Sequence, residues 1–355
     1  MNYISLLVSA KSQGLFQERL DDLFSRAKSE MSRLGLQAAN LAWSRVFLSD
    51  SANQLELLKK HPLFVSLLSR AAFSYVEQPP LDGSKIQLLL NLVPEGVECL
   101  GTHDKCVLQV GGKRHLWQSV RFKLEETKGK TAYELTHEAF RRHKEWLSQQ
   151  GLTLKDNCVR TWFFVRDIDH NYHDVVVARN EVFAEQGLTP KTHFIASTGI
   201  GGCSENPNAL VSVDFWSVDD AAMVQKYLQA LDYLNPTHEY GVAFERGVKL
   251  SQGQTHNVLI SGTASIDKQG NCLYLGDVYK QTERLFLNIG KLLADGGMDF
   301  SDIKNMIVYL RDVSDYNLVK GYLDTRFPDL PKAILLAPVC RPQWLIEVEC
   351  VASDC

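Results

Sequence analysis

Hydrophobic and polar positions along this chain follow two periods, and the two periods come in the same order three times. Apolar residues at three- and four-residue intervals, such as Leu285, Ile289, Leu292 and Leu293, predict amphipathic helices. Each such helix leads into a short apolar, β-branched run that predicts a strand ending in an acidic turn. The turn reads Arg45-Val46-Phe47-Leu48-Ser49-Asp50, then Phe163-Phe164-Val165-Arg166-Asp167, then Val308-Tyr309-Leu310-Arg311-Asp312. A second helix follows, in the middle copy from about Asn171 to Glu185 with Gly187 as its stop, and then a further strand. Asp50, Asp167 and Asp312 lie 117 and 145 residues apart, intervals long enough for a whole small domain rather than a solenoid unit.

Helix–strand–helix–strand units predict an α+β fold with helices on one face of each sheet. Pro, Gly and Asn gather near Pro94–Thr102 and Leu234–Tyr240, so the expected units are 1–98, 99–237 and 238–355. In the first, Met1–Ala10 reads as a strand, and Ser74–Glu77 and Ile86–Leu90 have strand character with no residue tied to chemistry. Its expected role is packing.

A chain of 355 residues exceeds what one core usually serves, in keeping with several units. Its net charge of -4, with 23% charged residues, offers no basic stripe for nucleic acid. No apolar run approaches a membrane span, and the chain begins without the basic leading region of a secretory signal. The eight cysteines (Cys99, Cys106, Cys158, Cys203, Cys272, Cys340, Cys350, Cys355) form no CxxC pair and no Cys/His group at zinc spacing, which favours free thiols in a reducing cytoplasm. His137 and His143, six apart on one helix, are poor metal ligands and read as solvated. No metal or cofactor is implied.

The third copy carries Ser261-Gly262-Thr263-Ala264-Ser265, Gly276-Asp277, Gln281, Asn288-Ile289, Tyr309-Leu310-Arg311-Asp312 and Ile346-Glu347-Val348-Glu349. In these residues it resembles the RidA (YjgF-like) family over about Val258–Ser353. Such proteins are homotrimers with sites between subunits, so three copies in one chain imply an internal pseudo-trimer, with self-association beyond that left open. RidA deaminases hold a substrate carboxylate with an arginine shortly before the final strands. Here Pro331-Lys332-Ala333 lacks it, and Arg70 stands at the comparable place only in the first copy.

A narrower resemblance, to chorismatases of the 3-hydroxybenzoate synthase type, spans residue 160 to the end. It rests on Tyr172, Arg179, Ala196-Ser197-Thr198-Gly199-Ile200-Gly201-Gly202, Phe244-Glu245-Arg246-Gly247, Ser261–Ile266 and Val339-Cys340-Arg341-Pro342-Gln343-Trp344-Leu345-Ile346-Glu347. The resemblance implies chorismate as substrate, Arg179 and Arg246 as carboxylate binders, Tyr172 as a hydrogen-bond donor, Glu347 as the acid, and pyruvate as one product. It also links Gly247 and Cys340 to an aromatic product, 3-hydroxybenzoate. A 4-hydroxybenzoate, a dihydroxycyclohexadiene acid, a RidA-like deaminase or endoribonuclease, and a non-catalytic ligand-binding module are the alternatives.

The residues suit that chemistry. Tyr172 and Arg179 are seven apart on one predicted helix, about two turns, and so point the same way. A strand over Trp344–Val351 puts Leu345, Glu347, Glu349 and Val351 on one face. Two carboxyls buried there would repel and resist ionisation, leaving one able to hold a proton near neutral pH. Periodicity does not choose between them. The glycines of Ser197–Gly202, with neither the lysine of a phosphate loop nor dinucleotide spacing, predict a flexible turn in which Thr198 and Gly199 line the pocket.

Overall fold

The computed structural model describes residues 4–354, in which each sequence copy closes a mixed sheet with helices packed on one face. The first unit runs β1 (Ile4–Ser9), α1 (Phe16–Arg33), β2 (Leu41–Leu48), α2 (Ser51–Lys60), the short α3 (Pro62–Ser66), β3 (Ala72–Glu77) and β4 (Ile86–Leu92). The second has β5 (Glu98–Thr102), β6 (Lys105–Val110), β7 (Lys113–Val120), the short α4 (Leu124–Thr127), α5 (Ala132–Gln149), the short α6 (Leu154–Asn157), β8 (Cys158–Val165), α7 (Ile168–Glu185), β9 (Ala196–Gly201) and β10 (Val211–Asp219). The third has β11 (Val224–Tyr227), β12 (Gly247–Gln252), β13 (Thr255–Thr263), α8 (Val278–Asp295), β14 (Ile303–Leu310), α9 (Tyr316–Arg326), β15 (Lys332–Leu336) and β16 (Ile346–Ser353).

One strand order recurs: β1-β4-β2-β3, β7-β10-β8-β9 and β13-β16-β14-β15, with the hairpins β5-β6 and β11-β12 added at the edges of the second and third sheets. In each unit the strand before the acidic turn is parallel to the strand after the second helix, because a helical crossover brings the chain back in the same direction. The acidic turns start those helices. Asp50 and Asp312 accept N–H bonds from Asn53 (3.2 Å) and Ser314 (2.8 Å), as N-caps do. Asp167 takes a left-handed φ of 46° instead, which starts α7 at Ile168 rather than Asn171.

The helices bury the predicted stripes: Leu20, Leu23, Phe24, Ala27 and Met31 of α1, and Leu285, Ile289, Leu292 and Leu293 of α8. All eight residues of β2 and of β8 are buried, since one face packs on the unit's own helices and the other on neighbouring units. Those neighbours form a ring, with β3 against β7, β9 against β13 and β1 against β14. This is the pseudo-threefold packing expected of three RidA-like copies.

Four local expectations change. β11 pairs with β12, so residues 224–227 lie in the third sheet, ahead of the division drawn at 237/238. The last strand starts at Ile346 because a turn, with the Trp344 N–H donating to the Arg341 carbonyl (3.0 Å), occupies the residues before it. His143 is fully buried rather than solvated: its ring bonds Gln118 (2.9 Å) and Ser217 (3.0 Å) and stacks on Phe215, and burial lowers its pKa to about 3. The segment expected as a flexible turn is strand β9, parallel to β8, and Gly199, Gly201 and Gly202 have no left-handed φ. Their small size serves close approach instead. Residues 1–3 and Cys355 lie outside the described residues.

Among the described residues, no helix is long and apolar enough to cross a membrane. Among the described residues, no three His, Cys, Asp or Glu side chains come together as a metal ion would need.

Candidate active site

The cleft between the second and third units is built on β16, where strand alternation puts the side chains of Glu347 and Glu349 on one face. Both are buried, at 4% and 5% exposure, yet their surroundings differ completely. Glu349 accepts from Arg160 (2.6 Å), the Thr198 hydroxyl, the Trp162 indole N–H (3.0 Å) and the Tyr309 hydroxyl (3.2 Å). Glu347 borders a cavity, and burial, reinforced by the Glu349 charge, pushes its pKa up to about 8 against the pull of Arg160 and Arg246. Of the two carboxyls that the strand pattern left equivalent, only Glu347 faces space that a substrate can occupy.

Opposite stands α7. Arg311, after β14, grips Asp169 in the first turn of α7 through two bonds of 2.6 and 2.9 Å, which fixes the helix of the second unit against the third. Two turns apart on that helix, Tyr172 and Arg179 both reach the cavity. Arg179 is 1% exposed, lies against the rings of Phe163 and Phe244, and leaves Nε and Nη2 without a hydrogen-bond partner among the described residues. A buried guanidinium with free donors is costly unless an anion arrives to take them.

Arg246, just ahead of β12, supplies a second cation. Its guanidinium donates to the Asn235 carbonyl (3.1 and 3.3 Å) and lies over Tyr240 and Phe244, with no carboxylate in ion-pair contact among the described residues. Arg341 approaches the same Tyr240 ring, 5.6 Å from its centroid, and also Trp344. Cys340 lines the cavity as a thiol whose pKa burial and the Glu347 charge push up to about 12; burial likewise raises Tyr172 well above the usual phenol value. At neutral pH both are protonated.

Two glycines make room for these groups. A Cβ at Gly199 would sit 2.7 Å from the Tyr172 ring, and one at Gly262 would overlap the carboxyl oxygen of Glu347. Thr198 ties the two together, its hydroxyl accepting the Gly262 N–H (3.0 Å). Gln281 steadies the approach to β16, donating to the Gln343 carbonyl (2.9 Å) and accepting the Leu345 N–H (2.9 Å).

The structure therefore brings together Glu347, Tyr172, Arg179, Arg246, Cys340, Thr198 and Gly199. Gly247 stays outside: a Cβ there would meet the Leu259 carbonyl and the Leu228 and Ile260 side chains, behind the cavity wall. Lys332, where a RidA deaminase would have its arginine, donates to the Phe327 carbonyl (2.8 Å) and pairs with Asp324 (3.3 Å) in another cleft. Arg70 is exposed. Tyr240 also lines the cavity without having been singled out, as do Phe244, Gly262, Arg341 and Trp344, which the sequence marked only as parts of motifs and not as site residues. Most of these sit on connections with no periodicity to mark them.

Comparison with known proteins agrees with this architecture. The family described as Endoribonuclease L-PSP matches residues 242–354. A RutC family protein of Pyrococcus abyssi is 28% identical over 97 residues, covering 27% of this chain and 76% of that protein. The 2-iminobutanoate/2-iminopropanoate deaminase of Capra hircus is 31% identical over 99 residues, covering 27% of this chain and 71% of its own length. The crystal structure of a chorismatase superposes with a TM-score of 0.70 over 99% of this chain and 98% of that one, at 18% identity, a likeness of fold. With its last third matched in sequence and its three sheets repeating one topology, the chain belongs to the RidA/YjgF-like superfamily.

Proposed function

We propose that the chain is a chorismatase that releases pyruvate from chorismate, most of it with 3-hydroxybenzoate as the ring product. The observation that carries this reading is the pairing, in one cavity, of a carboxyl that stays protonated near neutral pH with two guanidinium groups that have no carboxylate in ion-pair contact among the described residues. Chorismate is a dicarboxylate with an acid-labile enol ether, so it fits both halves of that pairing. The chorismatase whose fold this chain shares adds support.

In this mechanism Arg179 and Arg246 take the two carboxylates and Tyr172 donates a hydrogen bond, so that the enolpyruvyl methylene lies over Glu347. Glu347 puts its proton on that carbon, and the ether oxygen shares the resulting cationic character. The neighbouring ring hydroxyl then attacks the ring carbon as the C–O bond to pyruvate breaks, and its proton returns to the Glu347 carboxylate. Opening of the epoxide-like intermediate with loss of a ring proton gives the aromatic acid. No water is consumed, so 3-hydroxybenzoate and pyruvate together contain every atom of chorismate. Attack by water instead would give a dihydroxycyclohexadiene acid.

Cys340, neutral and in the wall, supports the water-free branch by filling space with a weakly polar thiol. Gly247 would act through the path of the backbone beside Arg246, since it has no side chain to reach the cavity. Incubating the purified protein with chorismate, while following pyruvate and separating ring products against standards, tests the reading. Pyruvate with 3-hydroxybenzoate is expected. Pyruvate with the diene acid would overturn the product, and absence of pyruvate from folded protein would overturn the activity.

A further inference from the structure

Glu349 has more partners than a carboxylate needs for solubility in a protein interior, and they come from all three units. Arg160, Trp162 and Thr198 belong to the second, Tyr309 to the third, and Arg45 of the first stands 3.8 Å away. Arg45 continues to Asp214 (3.0 Å), which also pairs with Arg121 (2.9 Å). The cluster thus lies where the three sheets meet, and one of its edges is the floor of the cavity.

That edge is Thr198. Arg160 Nη2 donates to the Thr198 hydroxyl (2.6 Å) as well as to Glu349, the hydroxyl donates to Glu349, and it accepts from the N–H of Gly262, against which the Glu347 carboxyl lies. The groups facing Glu347 are Glu349 on its own strand, Arg160 from β8, Arg246 from the segment before β12, Tyr172 from α7 and Cys340 from the connection ahead of β16. Arg160 is the cation placed to strip Glu347 of its proton, and Glu349 occupies it.

We infer that Glu349 is a positioning residue for the acid: it binds Arg160 and, through the Thr198 hydroxyl, fixes the Gly262 backbone, so that Glu347 keeps its proton and its place beside the substrate. The inference rests on the reading of Glu347 as the proton donor but not on the identity of the substrate. It also gives the first unit a part in the site, through Arg45.

Infrared difference titration of the ligand-free protein reads the effect directly. The protonated-carboxyl band that disappears in Glu347→Gln identifies Glu347, and in the wild type it is expected to fade as pH rises through about 8. In Glu349→Gln the midpoint should fall by about one unit or more, because a like charge is removed and an opposite one released; Glu349→Asp, which keeps the charge, should restore most of it. Thr198→Val, nearly isosteric and less threatening to folding, should lower the midpoint by a smaller amount, with Thr198→Ser restoring it. An unchanged midpoint in folded Glu349→Gln overturns the inference, as does an unchanged midpoint in Thr198→Val should Glu349→Gln not fold. Absence of any Glu347-dependent protonated band at pH 7 overturns it too. A normal set of titrations from a protein that releases no pyruvate would instead sink the chorismate reading alone.

Discussion

The cleft under α7 has a counterpart under α9, between the third and first units, and the contrast between them isolates what makes one a site. Alignment of the acidic turns puts Asp324 where the first cleft has Arg179. The strand pairings Tyr309–Glu347 and Phe47–Gln87 put Gln87 in the place of Glu347. The α9 cleft is no tighter than the α7 cleft, so space does not separate them. Charge pairing does. Asp324 holds Lys320 and Lys332, and Gln87 donates to Asp82 (2.7 Å) and Ser9 (3.0 Å), leaving the α9 cleft satisfied by its own residues. In the α7 cleft two guanidinium groups have no carboxylate in ion-pair contact among the described residues and one carboxyl holds its proton, a state that costs stability until an anionic ligand relieves it.

The strongest way to break this comparison is to make the α7 cleft like its counterpart at the acid. Glu347→Gln should lower the rate of pyruvate release by about 10²–10⁴-fold while leaving chorismate affinity nearly intact by calorimetry; comparable turnover would remove Glu347 from its role. Next comes Arg179→Met. It should weaken chorismate binding by about 2–4 kcal/mol, yet leave the melting temperature of the ligand-free protein unchanged or higher, since a buried unpaired charge is gone. A clear loss of ligand-free stability would place Arg179 in the scaffold instead.

The third test uses pH. Glu347 must be protonated to act, so kcat/KM should hold below about pH 8 and fall about tenfold per unit above it. The same raised value has a sign for stability: the folded protein binds this proton more tightly than the unfolded chain, so its contribution is present at low pH and lost as pH rises through about 8. Glu347→Gln should therefore flatten the stability curve between about pH 4.5 and pH 8, where only the folded protein holds this proton. The smallest effect is expected at the other cleft, where Asp324→Asn disturbs half-exposed ion pairs worth at most about 1 kcal/mol and should leave turnover unchanged. A marked loss of activity there would mean that the α9 cleft is not merely structural.

Much of the fold could be read in advance, because helix and strand periods and acidic turns are local. The stripe on α8 and the two-turn spacing of Tyr172 and Arg179 both follow from repeat distances along one element. What failed was context. His143 is polar on its face of α5, and only the packing of Phe215, Gln118 and Ser217 around it makes it buried. Likewise Gly199 and Gly262 matter through what approaches them from other elements, the Tyr172 ring and the Glu347 carboxyl, and neither approach is encoded near the glycine itself.

By itself the sequence determined three α+β units, their common order of elements, and a final strand with two carboxyls on one face, since each of these depends on periodicity within a few neighbouring residues. Only the tertiary structure decided between those carboxyls. It surrounded Glu349 with Arg160, Thr198, Trp162 and Tyr309, drawn from two units, and left Glu347 facing a cavity walled by α7 and the segment carrying Arg246. Proton affinity in a protein interior depends on which charges and donors lie within a few ångströms, and residues nearly two hundred positions apart come that close only when the three sheets meet.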